Sequence, residues 1–264
     1  SHPLLYKILT EDSSYELSHF RGGLPLSWKK FLHNHRIILQ KPIVWFGLSI
    51  LIIGNWAGSY YATINGSARL SMSILFLSFS AFAYLFGRKK ISIFLFCVIT
   101  VILNYLFLPE ANIKSMLAAI FSGLSLYLYS RLSVKFSRET GLLASDILAI
   151  RLYPCLIVSL VLILINNQYN FNHIGGYTII VLLSLGISNR VVPILFLQRS
   201  TLKIGAEKTA TLISLTPVVT FLMQAVFERK WLPSVFIIML ISTLVLNGEY
   251  ILKISKSLLQ KNKR

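Results

Sequence analysis

A chain of 264 residues that is 55% hydrophobic and only 13% charged carries more apolar side chain than a soluble domain of that length can hide, because soluble domains carry about a quarter charged residues. A mean hydropathy of +0.69 points instead to lipid as the solvent for much of the surface. The 26 Lys and Arg against 9 Asp and Glu would suggest nucleic acid in a soluble protein, but here they fall in short clusters between apolar runs and form no continuous basic face. Nucleic acid is therefore rejected as a partner, and the lipid bilayer takes its place.

In chain order, residues 3–10 (PLLYKILT) read as the end of a first helix, incomplete at this start. The stretch 14–32 (SYELSHFRGGLPLSWKKFL) carries His19, Arg21, Gly22, Gly23 and Pro25 in its middle, and reads as a broken helix of the kind tolerated where it lines a cavity. Eight further apolar stretches are long enough to cross a bilayer: 43–62, 70–86, 91–108, 112–132, 144–165, 177–198, 206–227 and 232–253. The sum is an all-α integral membrane protein of about nine or ten spans.

Counting basic residues orients the spans. With a cytoplasmic N-terminus, one side holds Lys29, Lys30, Arg36 and Lys41, then Arg88-Lys89-Lys90, then Arg131, Lys135 and Arg138, then Arg199, Lys203 and Lys208, and finally the tail from Lys253 to Arg264. The opposite side holds Arg69, Lys114, Arg229 and Lys230, while Lys7, Arg21, Arg151 and Arg190 fall within spans. Such a bias places both termini in the cytoplasm of a plasma or inner membrane.

The two halves, 1–110 and 111–264, resemble each other. Each has an Arg near a Pro within a span, in HFRGGLPLSW (Arg21) and AIRLYPCLIV (Arg151), and later a helix closed by a basic turn, in ILFLSFSAFAYLFGRKK and LISLTPVVTFLMQAVFERKW. An odd number of helices per half inverts the second copy, and inverted repeats are a transporter device with the site at the midplane.

Ionisable and polar residues within spans are candidates for that site, because they are costly there. Arg21, Arg151 and Arg190 carry a guanidinium fork suited to carboxylate or phosphate. Their alternative role is to brace broken helices through backbone carbonyls. Asn55, Trp56, Tyr60, Asn189, Gln198 and Gln224 are the polar companions, for ligand contact or for hydrogen bonds between helices. Glu249 is the candidate coupling carboxylate. Trp28, Trp45, Tyr127, Tyr129, Tyr177 and Trp231 read as anchors at the membrane surface. Gly66, Gly123, Gly186 and Gly205 read as sites of close packing, and Cys97 and Cys155 as small core residues. His33 and His35 have no carboxylate or Cys at metal-ligand spacing, and there is no phosphate-binding loop. No cofactor, metal or enzymatic activity is expected.

The stretch from Leu197 to Tyr250 resembles the drug/metabolite transporter superfamily of the EamA-repeat type. The likeness lies in the small-residue turn Ile204-Gly205-Ala206, the Ser-Leu-Thr-Pro of 214–217, Glu228 near a helix end, and a closing helix with small residues. The first half carries a weaker copy, NGSARLSMSILFLSFSAFAYLFGRKK, with Phe79 where the pattern has Pro and Gly87 where it has Glu, and SSYELSHFR resembles the family's second-helix entry. The resemblance implies a five-plus-five inverted repeat. Helices 1–5, the first incomplete, lie in 1–110, and helices 6–10 with the basic tail lie in 111–264. It also implies a central cavity and alternating access. The expected function is secondary transport of a small polar, anionic or zwitterionic metabolite: an amino acid, an S-adenosylmethionine-like compound, a nucleotide or a phosphorylated solute. The alternatives are a membrane-embedded lipid-handling enzyme and a non-transporting interaction subunit. Monomer and homodimer are both open.

Overall fold

The computed structural model describes residues 28–107, 112–165, 192–229 and 231–261, with single positions at 175, 180 and 184. All regular structure among them is helical: α1 Trp28–Gln40, α2 Pro42–Ile64, α3 Ala68–Phe82 with a π-helical extension Ala83–Gly87, α4 Ile91–Phe107, α5 Ile113–Thr140, α6 Ala144–Ile165, α7 Val192–Ile204, α8 Ala206–Ile213, α9 Thr216–Glu228 and α10 Pro233–Lys261. Residues 1–42 and 43–264 form two units. In the first, α1 buries Asn34 and Ile37 on one face and exposes Leu32 and Leu39.

Among the described residues, three helical segments are long and apolar enough to cross a membrane: Pro42–Ile64, Ile113–Thr140 and Ala206–Phe227. Shorter apolar helices run over Ser71–Gly87, Ile91–Phe107 and Pro233–Gly248. Local chemistry sets the ends. Pro42 opens α2, where its missing N–H costs nothing. The Asn112 side chain accepts the Lys114 N–H at 2.9 Å to cap α5, and Gly141, at φ 72°, ends that helix. At 28 residues α5 is about 42 Å long, well beyond the roughly 30 Å of a hydrocarbon core. It therefore extends past the expected end at 132.

Many small polar residues share the interior with the apolar core, while large apolar side chains cover much of the exterior. Ser71, Ser73, Ser78 and Ser80 of α3 and Ser115, Ser122, Ser125, Ser130 and Ser133 of α5 are buried, while Ile99, Ile102, Leu106, Phe121, Val226, Phe227 and Leu244 face outward. Water would drive the opposite arrangement. In lipid, apolar side chains lose nothing by facing out, and helices gain from close backbone approach and shared hydrogen bonds.

Two close approaches organise the bundle. A Cβ at Gly123 of α5 would lie 2.5 Å from the Leu75 carbonyl oxygen and 2.9 Å from the Phe79 nitrogen, so α3 and α5 touch backbone to backbone. On α2, a Cβ at Gly58 would lie 2.8 Å from the Ala118 oxygen of α5, and at Gly66 3.2 Å from Ser115 Cβ. Between them Asn55 and Ser122 clasp α2 to α5. The Asn55 amide donates to the Ser122 carbonyl and hydroxyl at 3.1 and 2.9 Å, and the Ser122 hydroxyl donates to the Asn55 carbonyl at 2.7 Å. Ser122→Ala removes two of these bonds at a buried site. At about 0.6–1.7 kcal/mol per interhelical bond, the melting temperature of the detergent-solubilised protein is expected to fall by several degrees.

Around this frame α3 also packs on α4, α8 and α9, and α4 packs on α10. The core runs through Ile74, Leu77, Tyr84, Cys97, Phe221, Val235 and Met239. The spans read at 43–62, 70–86, 91–108, 112–132 and 144–165 each meet one helix, and 232–253 lies within α10. The span 206–227 meets two, α8 and α9, separated by a turn at Ser214-Leu215. Most of 14–32 and 177–198 lies outside the described residues.

Candidate functional site

Arg151 of α6 is the largest fully buried side chain, 1% exposed. It shares its helix face with Ala144, Ile147 and Ile150, while Leu156, Ile157, Leu160 and Val161 face outward. The amphipathy of α6 is therefore inverted at one position, with a cation on the buried stripe. Burying an Arg away from water is costly unless the charge is matched. Part of the offset comes from Tyr129 of α5, whose ring centroid lies 4.5 Å from the guanidinium carbon. A desolvated cation–π contact of this kind contributes about 2 kcal/mol.

The Tyr129 hydroxyl, buried with its ring, donates to Gln198 Oε1 of α7 at 2.6 Å. Gln198 is 2% exposed, and its Nε2 has no hydrogen-bond partner among the described residues. α2 supplies a fourth wall. The Trp45 indole N–H donates to the Ile150 carbonyl at 2.8 Å. That carbonyl is available because its usual partner, the N–H four residues on, is missing: position 154 is proline. The proline frees a carbonyl beside Arg151, and Trp45 takes it. Trp45→Phe keeps the ring and orphans the carbonyl, so a loss of about 1–3 kcal/mol in unfolding free energy is expected, read as a lower midpoint in thermal melting.

A second polar centre lies at the break between α8 and α9. Pro217 cannot donate to Ile213, and the turn at Ser214-Leu215 leaves further carbonyls unmet by the helix. Residues of α10 meet one of them: Thr243 Oγ1 donates to the Ser214 carbonyl at 2.9 Å, and the Asn247 amide donates to Ser214 Oγ at 2.8 Å and to the Thr243 carbonyl at 2.9 Å. The backbone stays right-handed helical through Ser214 and Leu215, so this is a proline-distorted turn whose polar groups are met by the neighbouring helix.

The third group is basic. Arg88 and Arg131 each lie over a tyrosine one turn earlier, Tyr84 and Tyr127, at 5.0 and 5.9 Å, and donate to its hydroxyl at 3.2 and 3.3 Å. Tyr84 in turn donates to the Leu246 carbonyl of α10 at 3.0 Å. The Glu207 side chain at the start of α8 occupies the space where a Cβ on Gly87 would stand.

Of the residues named from sequence, Arg151 and Gln198 meet around Tyr129. Asn55 lies in the α2–α5 clasp, with its amide committed to Ser122. Trp56, half-buried, accepts the Ser59 hydroxyl at its carbonyl, and Tyr60 sits on the exposed face of α2. Gln224 and Glu249 fall on α9 and α10, but their side chains lie outside the described residues, as do Arg21, Asn189 and Arg190 altogether. Tyr127 and Tyr129, expected at the membrane surface, are buried. The reason is the packing of α5, which sets Tyr129 against Gln198 of α7 and Arg151 of α6, and Tyr127 against Phe86. Trp231 does stay exposed, stacked beside Phe221 and Phe236. Gly123 and Gly66 mark close packing as expected, whereas Gly205, at φ 89°, is a chain break between α7 and α8. Cys97 is a buried free thiol of the core. Among the described residues no three His, Cys, Asp or Glu side chains come together as a metal-binding group. No protein-family model and no curated protein matches the chain.

Proposed function

We propose that the chain is a secondary transporter of the drug/metabolite type, moving a small polar metabolite with an anionic or zwitterionic head across a plasma or inner membrane. The observation that carries this reading is the buried Arg151, stacked on Tyr129 beside Gln198 where α2, α5, α6 and α7 meet. A buried cation in an apolar bundle is an expensive feature, and anion recognition is one of the uses that offsets it.

Support for the inverted repeat comes from packing. The helices that the sequence pairs as copies, α3 and α9, also touch each other, as elements near a twofold axis do. In this proposal ten helices are arranged five plus five, both termini are cytoplasmic, and no cofactor or catalytic group takes part. Transport runs by alternating access through a cavity that Arg151 faces.

The test is uptake into proteoliposomes holding the full chain, with radiolabelled amino acids, nucleotides, S-adenosylmethionine and sugar phosphates as the panel. Saturable uptake of one class, competed by its unlabelled form, is expected. Folded protein that moves none of them contradicts the proposal, and turnover of a lipid by the same preparation would put a membrane enzyme in its place.

A further inference from the structure

We infer that the end of the bundle where α3, α5 and α8 meet binds the phosphate headgroup of an anionic phospholipid, held by Lys89, Arg131 and Lys208. The inference requires a bilayer around the helices and is independent of transport.

Contacts bring the three cations to one place. The π-helical end of α3 packs on α8, and α8 packs on α5. The Phe86 ring stacks on Tyr127 at 6.2 Å, and the Glu207 side chain fills the space beside Gly87. Lys89 comes two residues after Gly87, Arg131 one turn after Tyr127, and Lys208 directly after Glu207, and all three are exposed. Glu207, half-buried, sets a single negative charge against them. The Tyr127 hydroxyl accepts one Arg131 N–H at 3.3 Å, which steadies the guanidinium and leaves the rest of its fork for phosphate oxygens.

Lys89 adds a separate observation. Its φ is 54°, in the left-handed region where a side chain costs stability and glycine does not. The helix end requires that conformation: the Arg88 N–H donates to the Ala83 carbonyl at 3.1 Å and the Lys90 N–H to the Tyr84 carbonyl at 2.9 Å, closing the turn around Lys89. Glycine is the ordinary occupant of such a position, so lysine there gives up stability for its exposed ammonium. Arg229 ends α9 with the same geometry, φ 53°, at the other end of the α8–α9 span. A cation at a helix C-terminus suits the helix dipole in both places, so Arg229 is the control that separates that effect from lipid.

Apolar surface beside the charge distinguishes a lipid from a soluble anion. Phe86, Ile91, Leu128 and Leu212 are all exposed. Each stands within about one turn of a cation, on the side toward the middle of the bundle. Acyl chains lie along these residues while the headgroup meets the cations, a gain that inorganic phosphate does not share.

The test melts the purified full chain in a neutral detergent with dioleoylphosphatidylglycerol or dioleoylphosphatidylcholine at equal mole fraction. Phosphatidylglycerol is expected to raise the melting temperature by about 3 °C or more over phosphatidylcholine, because a ligand of the folded chain stabilises it. Lys89→Gly should melt above wild type in phosphatidylcholine, where the left-handed residue is relieved, yet lose at least half of the phosphatidylglycerol increment. Arg131→Gln should lose a similar share. Arg229→Gly should also melt higher but keep the increment. Equal effects of the two lipids, a full increment in Lys89→Gly, or an equal loss in Arg229→Gly overturns the inference. So does a Lys89→Gly protein that melts no higher than wild type in phosphatidylcholine, because the lysine then gives up nothing. Inorganic phosphate that reproduces the increment overturns it in favour of a soluble anion. Solute uptake enters none of these outcomes, so failure of the transport proposal leaves them unchanged.

Discussion

Gly123→Val is expected to abolish the folded protein, read as loss of the monodisperse peak in size-exclusion chromatography after solubilisation. The first atom added beyond glycine would already lie 2.5 Å from the Leu75 carbonyl oxygen, 2.7 Å from Ser78 Cβ and 2.9 Å from the Phe79 nitrogen. Two of these are backbone atoms, so no rotamer change relieves the clash. One whole helix has to move, and α3 is held on its other sides by α4, α8 and α9. Overpacking against mobile side chains costs about 1–3 kcal/mol, and against two rigid backbones the cost exceeds that range. Gly123→Ala should already lower the melting temperature markedly. Gly248→Ala supplies the contrast. A Cβ there meets nothing within 4 Å, and the position is inside α10, so alanine is expected to be neutral or stabilising by up to about 1 kcal/mol.

Arg151→Met is expected to reduce uptake at least 100-fold while leaving a folded, monodisperse protein. Methionine fills much of the volume and removes a buried charge, and replacing buried ionic groups by apolar ones of similar size is often neutral for stability. It also removes the cation from Tyr129, so a change in melting temperature of either sign by a few degrees is compatible with the account. If Arg151 serves instead to brace the bundle, uptake and melting temperature fall together. Arg151→Lys sharpens the distinction. Lysine keeps the charge but not the planar fork, so it is expected to recover folding fully and uptake only in small part.

Much of the fold was legible because lipid simplifies the code. A run of about 20 apolar residues means a helix, and six of the spans read that way meet a helix of the structure. What escaped was set by tertiary contacts. The distortion in 206–227 was marked by Ser214-Leu215-Thr216-Pro217, yet proline alone does not say what meets the freed polar groups. Thr243 and Asn247, about thirty residues later, meet them. The site was half legible. Arg151 and Gln198 stood out as polar residues in apolar runs. Tyr129 did not, because aromatic residues near a span end have an ordinary explanation, and only the packing of α5 against α6 and α7 shows it buried. Trp45 carried a usable signal in another helix: Pro154 frees the carbonyl four residues before it, and a buried carbonyl needs a donor.

The most direct measurement of the central claim is solute counterflow. Proteoliposomes are loaded with a high concentration of the unlabelled solute found in the uptake panel and diluted into a trace of its labelled form. A carrier with one site open alternately to each side exchanges label inward against the outflow, so wild type should accumulate label transiently above equilibrium, and Arg151→Met should not. Label that only approaches equilibrium in wild type, or an overshoot that persists undiminished in Arg151→Met, would contradict alternating access at the Arg151 site.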